Sequence, residues 1–130
     1  MEKNMELIVL LARILFGAIF IVAGPGHFSS ERIAHAAQLG VPLASIMVPL
    51  SGMIAFLGGL SIVSGFKATW GAWLIVLFLV PVTVMMHQFW NATDPTVIRV
   101  QQAMFMKNLA MLGGALLITH FGSGPFSLKE

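Results

Sequence analysis

The chain is predicted to be an all-α integral membrane protein, a bundle of four spanning helices with a short interfacial helix in its first loop. Three observations carry that expectation. Of 130 residues 58% are hydrophobic and only 9% are charged, and the mean hydropathy is +0.92. A soluble domain of ordinary composition carries about 25% charged residues to cover its core, so this chain is suited to lipid instead of water. Finally, the apolar residues fall into four stretches, each near the roughly 20 residues that a helix needs to cross about 30 Å of hydrocarbon.

The first stretch, residues 6–24, is interrupted only by Arg13. A cleaved leader is its rival reading. The mixed charge of "MEKNME" and the length of the stretch, with an arginine inside it, argue against that. The second, 43–65, and the third, 68–90, hold no charge at all. Trp70 and Trp90 stand about 30 Å apart at 1.5 Å per residue, one bilayer thickness with an indole at each interface. The fourth, 102–121, carries Lys107 and Asn108 in its first turns.

Connections are short except the first, Pro25–Pro42. Within it "SSERIAHAAQLG" has Ser29 or Ser30 to cap, Glu31 to favour a helix start and Gly40 to end it. A modest apolar side made by Ile33, Ala36, Ala37 and Leu39 predicts a helix lying at the interface or folded over the bundle mouth. "GFK" reads as a tight turn, and Pro95 in "NATDPT" reads as a helix breaker.

Lipid tails do not drive helices together, so packing depends on close backbone approach. Ser51, Ala55 and Gly59 form a small-residue ladder in span two, with Gly52 and Gly58 beside it. Ala68 and Ala72 serve span three; Ala110, Gly113 and Gly114 serve span four.

Four antiparallel spans put both termini and the "GFK" turn on one face, A, and the two longer loops on the other, B. Polar residues converge on face B. His27 follows span one, and His87, Gln88 and Asn91 close span three. Lys107 and Asn108 sit about one and a half turns into span four, and Arg13 lies about 16 Å below the same face. Intramembrane ionisable groups are functional candidates by default. The candidate ligand-binding set is therefore Arg13, His87, Gln88, Trp90, Lys107 and Asn108. Each also has a structural reading: His87 as a helix-to-helix hydrogen bond, Lys107 as a snorkelling cation, Arg13 and Asn108 as ties to another helix.

Several chemistries are excluded or disfavoured. There are no cysteines, so this chain offers no thiol catalysis and no thiolate metal site. The seven Lys and Arg are scattered singly, without the basic run that nucleic acid would require. Met85, Met86, Met104, Met106 and Met111 crowd the face-B end, where they read as core gap-fillers in preference to copper ligands, and no metal site is expected.

The ordered set "LLARILFGAIFIVAG", "GVP", "GGLSIVSGF", "MHQFW", "FMKNLAMLGGALL" and "GSGPFSL" resembles the DoxX family of small bacterial membrane proteins over nearly the whole chain. The resemblance implies the four-span fold, a single domain over residues 1–130 and the bacterial inner membrane, with cytoplasmic termini. It puts weight on Arg13, Gly17, Gly24, His87, Phe89, Lys107, Asn108, Gly113 and Gly114. Two positions depart from it: many members have a lysine where His27 stands, and several a glutamate where Ala55 stands. The family is linked to quinone-coupled sulfur oxidation and oxidative-stress systems. The implied function is a redox- or quinone-associated membrane subunit that has no cofactor of its own and works with a redox partner protein. Quinone carbonyls would accept hydrogen bonds from His87, Lys107 or Asn108, between walls of Phe89, Trp90 and Phe105. The alternative is a non-enzymatic anchor or assembly protein. Either could operate as a homo-oligomer.

Overall fold

The computed structural model describes residues 2–128, which leaves Lys129, expected on face A, outside the described residues. Five α-helices follow one another: α1 (Glu2–Ala23), α2 (Ser30–Gln38), α3 (Ala44–Ser64), α4 (Ala68–Met86) and α5 (Pro95–Phe121). Short 3-10 segments cover Gly24–Phe28 and Phe89–Asn91, and there is no β-strand among the described residues. Four of the helices, all but α2, are long and apolar enough to cross a membrane.

The packing order is α1 on α3, α3 on α4 and α4 on α5. Backbone approach explains the first two seams. A Cβ on Gly59 would lie 2.9 Å from the Gly17 carbonyl oxygen, and one on Gly58 would lie 2.9 Å from the Gly71 carbonyl oxygen. Ala55, Ala68 and Ala72 are buried as the small-residue pattern predicts. Span four behaves differently. Ala110 and Gly113 face outward, and only Gly114 meets α1, through the Phe16 ring. Phe20, Ile62, Ile75, Phe78, Leu79 and Ala115 form the core between these helices.

The loop helix exists and lies over the face-B mouth. Its Ala36 packs with Ala44 and Val48 of α3, and Ile33, Val41 and Met86 close around them. Ser29 takes the N-cap position without a side-chain bond, and Gly40 adopts φ +93 just past the helix end. "GFK" is the tight turn: Gly65 sits at φ +78, and the Ser61 hydroxyl donates to the carbonyls of Phe66 (2.7 Å) and Lys67 (3.0 Å).

Three helix limits differ from expectation, the first being α1, which begins at Glu2 instead of Glu6. The third span reaches Trp90 by hydropathy, but α4 stops at Met86, with His87 at φ −124, ψ 57. Hydropathy measures depth in lipid, and the chain stays apolar while its backbone leaves the helix. Consequently Trp70 and Trp90 do not belong to one helix. The fourth span begins at Pro95 instead of Gln102. Pro95 starts α5 because its missing N–H costs nothing at a first helical position, and the Asp94 carboxylate accepts from the Thr96 N–H at 2.8 Å. At 27 residues α5 is about 40 Å long.

Candidate functional site

The break after α4 builds the face-B site. Released from the helix, the His87 Nδ1 meets Gln101 Oε1 at 2.8 Å, so the N–H donates to the amide oxygen. The Gln88 amide oxygen accepts from Asn91 Nδ2 at 2.9 Å across the 3-10 turn. Immediately beyond, Phe89, Trp90 and Phe105 make three mutual edge-to-face contacts, with ring centroids 5.3, 5.3 and 5.7 Å apart. Trp90 remains 50% exposed. Such pairs add about 0.5–1.5 kcal/mol beyond burial, so the aromatic trio fastens the loop to α5.

Gln101 did not figure among the expected site residues. Its signal was spacing: it stands seven positions before Asn108, on the same face of α5. That face is the one that meets α4. Asn108 lies about 10 Å deeper than Gln101 by helix rise and is only 5% exposed. Neither its amide nor the hydroxyl of Thr83, 5% exposed on α4, takes part in a side-chain hydrogen bond, yet their polar atoms are not sealed off: Arg13 Nε is the one fully buried side-chain nitrogen or oxygen without a partner among the described residues.

Lys107, adjacent in sequence, points elsewhere. It is exposed, and its Nζ lies 3.4 Å from Met104 Sδ on its own helix. Its charge does not enter the space that Asn108 faces. His27, in the 3-10 segment after α1, places Nδ1 3.0 Å from the Ala23 carbonyl oxygen and sets its ring edge-on to Phe78 at 5.5 Å.

Arg13 is not brought to this end. Its guanidinium donates to the carbonyl oxygens of Ser123 (2.8 Å) and Phe126 (2.6 Å) in the segment after α5. That segment folds back on face A, where the Leu128 N–H bonds the Ser64 carbonyl oxygen at 3.0 Å. The correction has a simple cause. Helix Cα–Cβ bonds tilt towards the N-terminus, and the N-terminus of α1 is on face A. Helix rise located the Arg13 backbone, and side-chain direction carried its charge the other way. Of the six candidates, then, His87, Gln88 and Trp90 stand at the α4–α5 end, and Asn108 lies deeper, at the middle of α5. Lys107 lies on the outside, and Arg13 belongs to the opposite end.

A family model described as DoxX matches residues 8–88. Inner membrane protein YqjF of Escherichia coli (strain K12) is 34% identical over 134 residues, covering 100% of this chain and 95% of that protein. The chain belongs to the DoxX family. No solved structure matches it significantly. The DoxX match ends at Gln88, where α4 has just given way to the loop. It therefore includes Arg13 and His87 but not α5, whereas the likeness to YqjF runs through Gln101 and Asn108 as well. This DoxX protein thus has a multi-pass membrane bundle in which Arg13 is tied to the segment after α5 at face A.

Proposed function

We propose that this DoxX protein holds a quinone head group at the face-B end of α4 and α5 and serves as a membrane subunit for a redox partner. One observation carries the reading: Asn108 is only 5% exposed on α5, its amide takes part in no side-chain hydrogen bond, and its polar atoms are not fully enclosed, so a ligand can reach them. Its Nδ2–H can donate to a quinone carbonyl oxygen. Phe105, one turn nearer the surface, and the Trp90 ring beside it offer flat apolar walls for the head group. His87, held by Gln101 at the mouth, is a group that can exchange a proton with water at the interface. Electrons come from the partner, because the chain carries no flavin, haem or thiol motif.

Quinones that co-purify in mild detergent, identified by mass spectrometry, test this together with thermal stability. Asn108→Ala is expected to unfold near the wild-type temperature and to lose the bound quinone. A destabilised variant with quinone occupancy unchanged, or a wild-type protein that never carries quinone, overturns it.

The second reading, a non-enzymatic anchor or assembly protein for a partner complex, is favoured by the His87–Gln101 bond. That bond fastens the loop end to α5 and leaves His87 Nδ1 committed within the protein. Cross-linking from a photoreactive residue at Trp90 distinguishes it: one abundant partner and no quinone is its signature.

We place the protein in the bacterial inner membrane, as the name YqjF carries says of that relative, with cytoplasmic termini. Single cysteines at Lys3 and Asn91 in this cysteine-free chain are expected to label from opposite sides with an impermeant maleimide. Labelling from the same side contradicts the topology.

A further inference from the structure

Between the 3-10 segment that follows α1 and helix α3, a cavity of about 260 Å³ is lined by Gly24, Pro25, Phe28, Gly52, Met53 and Phe56. Its wall is entirely apolar. The floor is backbone: a Cβ on Gly24 would sit 2.7 Å from the Gly52 carbonyl oxygen and 2.8 Å from the Phe56 Cβ. Phe28 and Met53 stand out from it as the two rims, 57% and 50% exposed. In a bilayer such a slot opens onto acyl chains.

What distinguishes it from an ordinary lipid-facing dent is the group at its polar end. Arg32, from the first turns of α2, lays its guanidinium over Gly26, between the slot residues Pro25 and Phe28. A Cβ there would lie 2.5 Å from Arg32 Nη1 and 2.9 Å from Cζ. Arg32 makes no hydrogen bond or ion pair with any described residue, although Glu31 is its chain neighbour. A guanidinium presents paired N–H donors in the geometry that phosphate oxygens accept. A cation at the interface directly above an apolar slot follows the order of groups along a membrane lipid, phosphate first and hydrocarbon below.

We propose that this region is a specific site for an anionic phospholipid of the face-B leaflet, with its phosphate on Arg32 and one acyl chain in the slot. The head group supplies the negative charge that Arg32 lacks, and the chain fills the cavity between the 3-10 segment and α3. A bound lipid would thereby join α2, the 3-10 segment before it and α3.

Native mass spectrometry of the detergent-solubilised protein, titrated with phosphatidylglycerol or phosphatidylcholine, reads the site. The wild type is expected to retain one phosphatidylglycerol in preference to phosphatidylcholine. Arg32→Gln should weaken that binding about tenfold and abolish the preference, which corresponds to losing one charge-assisted contact. Arg32→Lys should restore part of it. Met53→Trp, which fills the slot with Arg32 intact, should lose the lipid as well, while inorganic phosphate alone should not bind. Equal retention of both lipids, or unchanged phosphatidylglycerol binding in Arg32→Gln, would overturn the site. So would a lipid-insensitive dimer lost in Met53→Trp, which would mean that a second copy covers the slot.

Discussion

Arg13 and Asn108 are polar side chains carried into the hydrocarbon on long helices, and they are 4% and 5% exposed. Their surroundings differ. Arg13 is met by two main-chain carbonyls from Gly122–Leu128, a segment that turns through Gly122 (φ +77) and Gly124 (φ +72) to reach it. Only its Nε is buried without a partner. Asn108 has helices on its side of the bundle but no acceptor or donor from them. A cation in lipid must be answered by the protein itself, and here a whole chain terminus is shaped to do so. An amide is cheaper to leave open, and an open amide is what a ligand with a carbonyl needs. The comparison separates a polar group that the protein itself satisfies from one that it leaves without a side-chain hydrogen bond.

Arg13→Leu tests the first half and carries the largest expected effect. Removing two charge-assisted bonds, each worth about 1.5–3 kcal/mol, should lower stability by about 3 kcal/mol. The terminal segment should also come free. Limited proteolysis just beyond Phe121 reads that release, and a tail that stays protected would show that Arg13 does not hold it.

Gly59→Leu addresses the seam that brings α1 close enough for Arg13 to reach its carbonyls. Because the obstacle is the Gly17 backbone and not a flexible side chain, the substitution should cost on the order of 1–3 kcal/mol. Gly113→Ala is its control: nothing stands within 4 Å of the added Cβ, so thermal stability should hold. Equal loss in both variants would contradict a seam-specific effect, since helix propensity by itself favours the larger residue at both positions.

Gln101→Leu, at the face-B mouth, should cost about 1 kcal/mol, the usual worth of one hydrogen bond. Its readout is the loop: amide exchange should speed up at His87–Asn91 and not in α5.

Asn108→Leu should change stability least. Replacing an amide that has no protein partner by an apolar side chain of similar size removes an uncompensated group, so the effect in the ligand-free protein should be close to zero or slightly favourable.

Much of this contrast was legible beforehand, and the parts that were not have identifiable reasons. Spans two and three follow from unbroken apolar runs, and their starts agree with α3 and α4 within one residue. The small residues of α3 were readable as seams because two neighbours use them, Gly59 for α1 and Gly58 for α4. Those of α5 were not, since Ala110 and Gly113 share the pattern and meet nothing. The end of α4 was hidden because Phe89 and Trp90 are as apolar as a helix interior, and only the His87–Gln101 bond shows why the backbone turns away. Asn108 was visible as a polar residue at membrane depth. Its lack of a partner depends on which way the side chains of α4 face it, and periodicity in one helix does not contain that. Arg13 and "GSGPFSL" both stood out in the sequence, but joining them required the side-chain tilt that sends Arg13 towards face A.

The most direct test of the central claim is a thermal-shift titration of the delipidated protein with a short-chain quinone, comparing wild type with Asn108→Leu. Saturating ligand at a hundred times its Kd should stabilise the wild type by about 2.7 kcal/mol, a rise of several degrees, and should leave Asn108→Leu unmoved at an unchanged starting temperature. An equal rise in both proteins, or none in the wild type, would contradict the claim that the open amide of Asn108 is a quinone site.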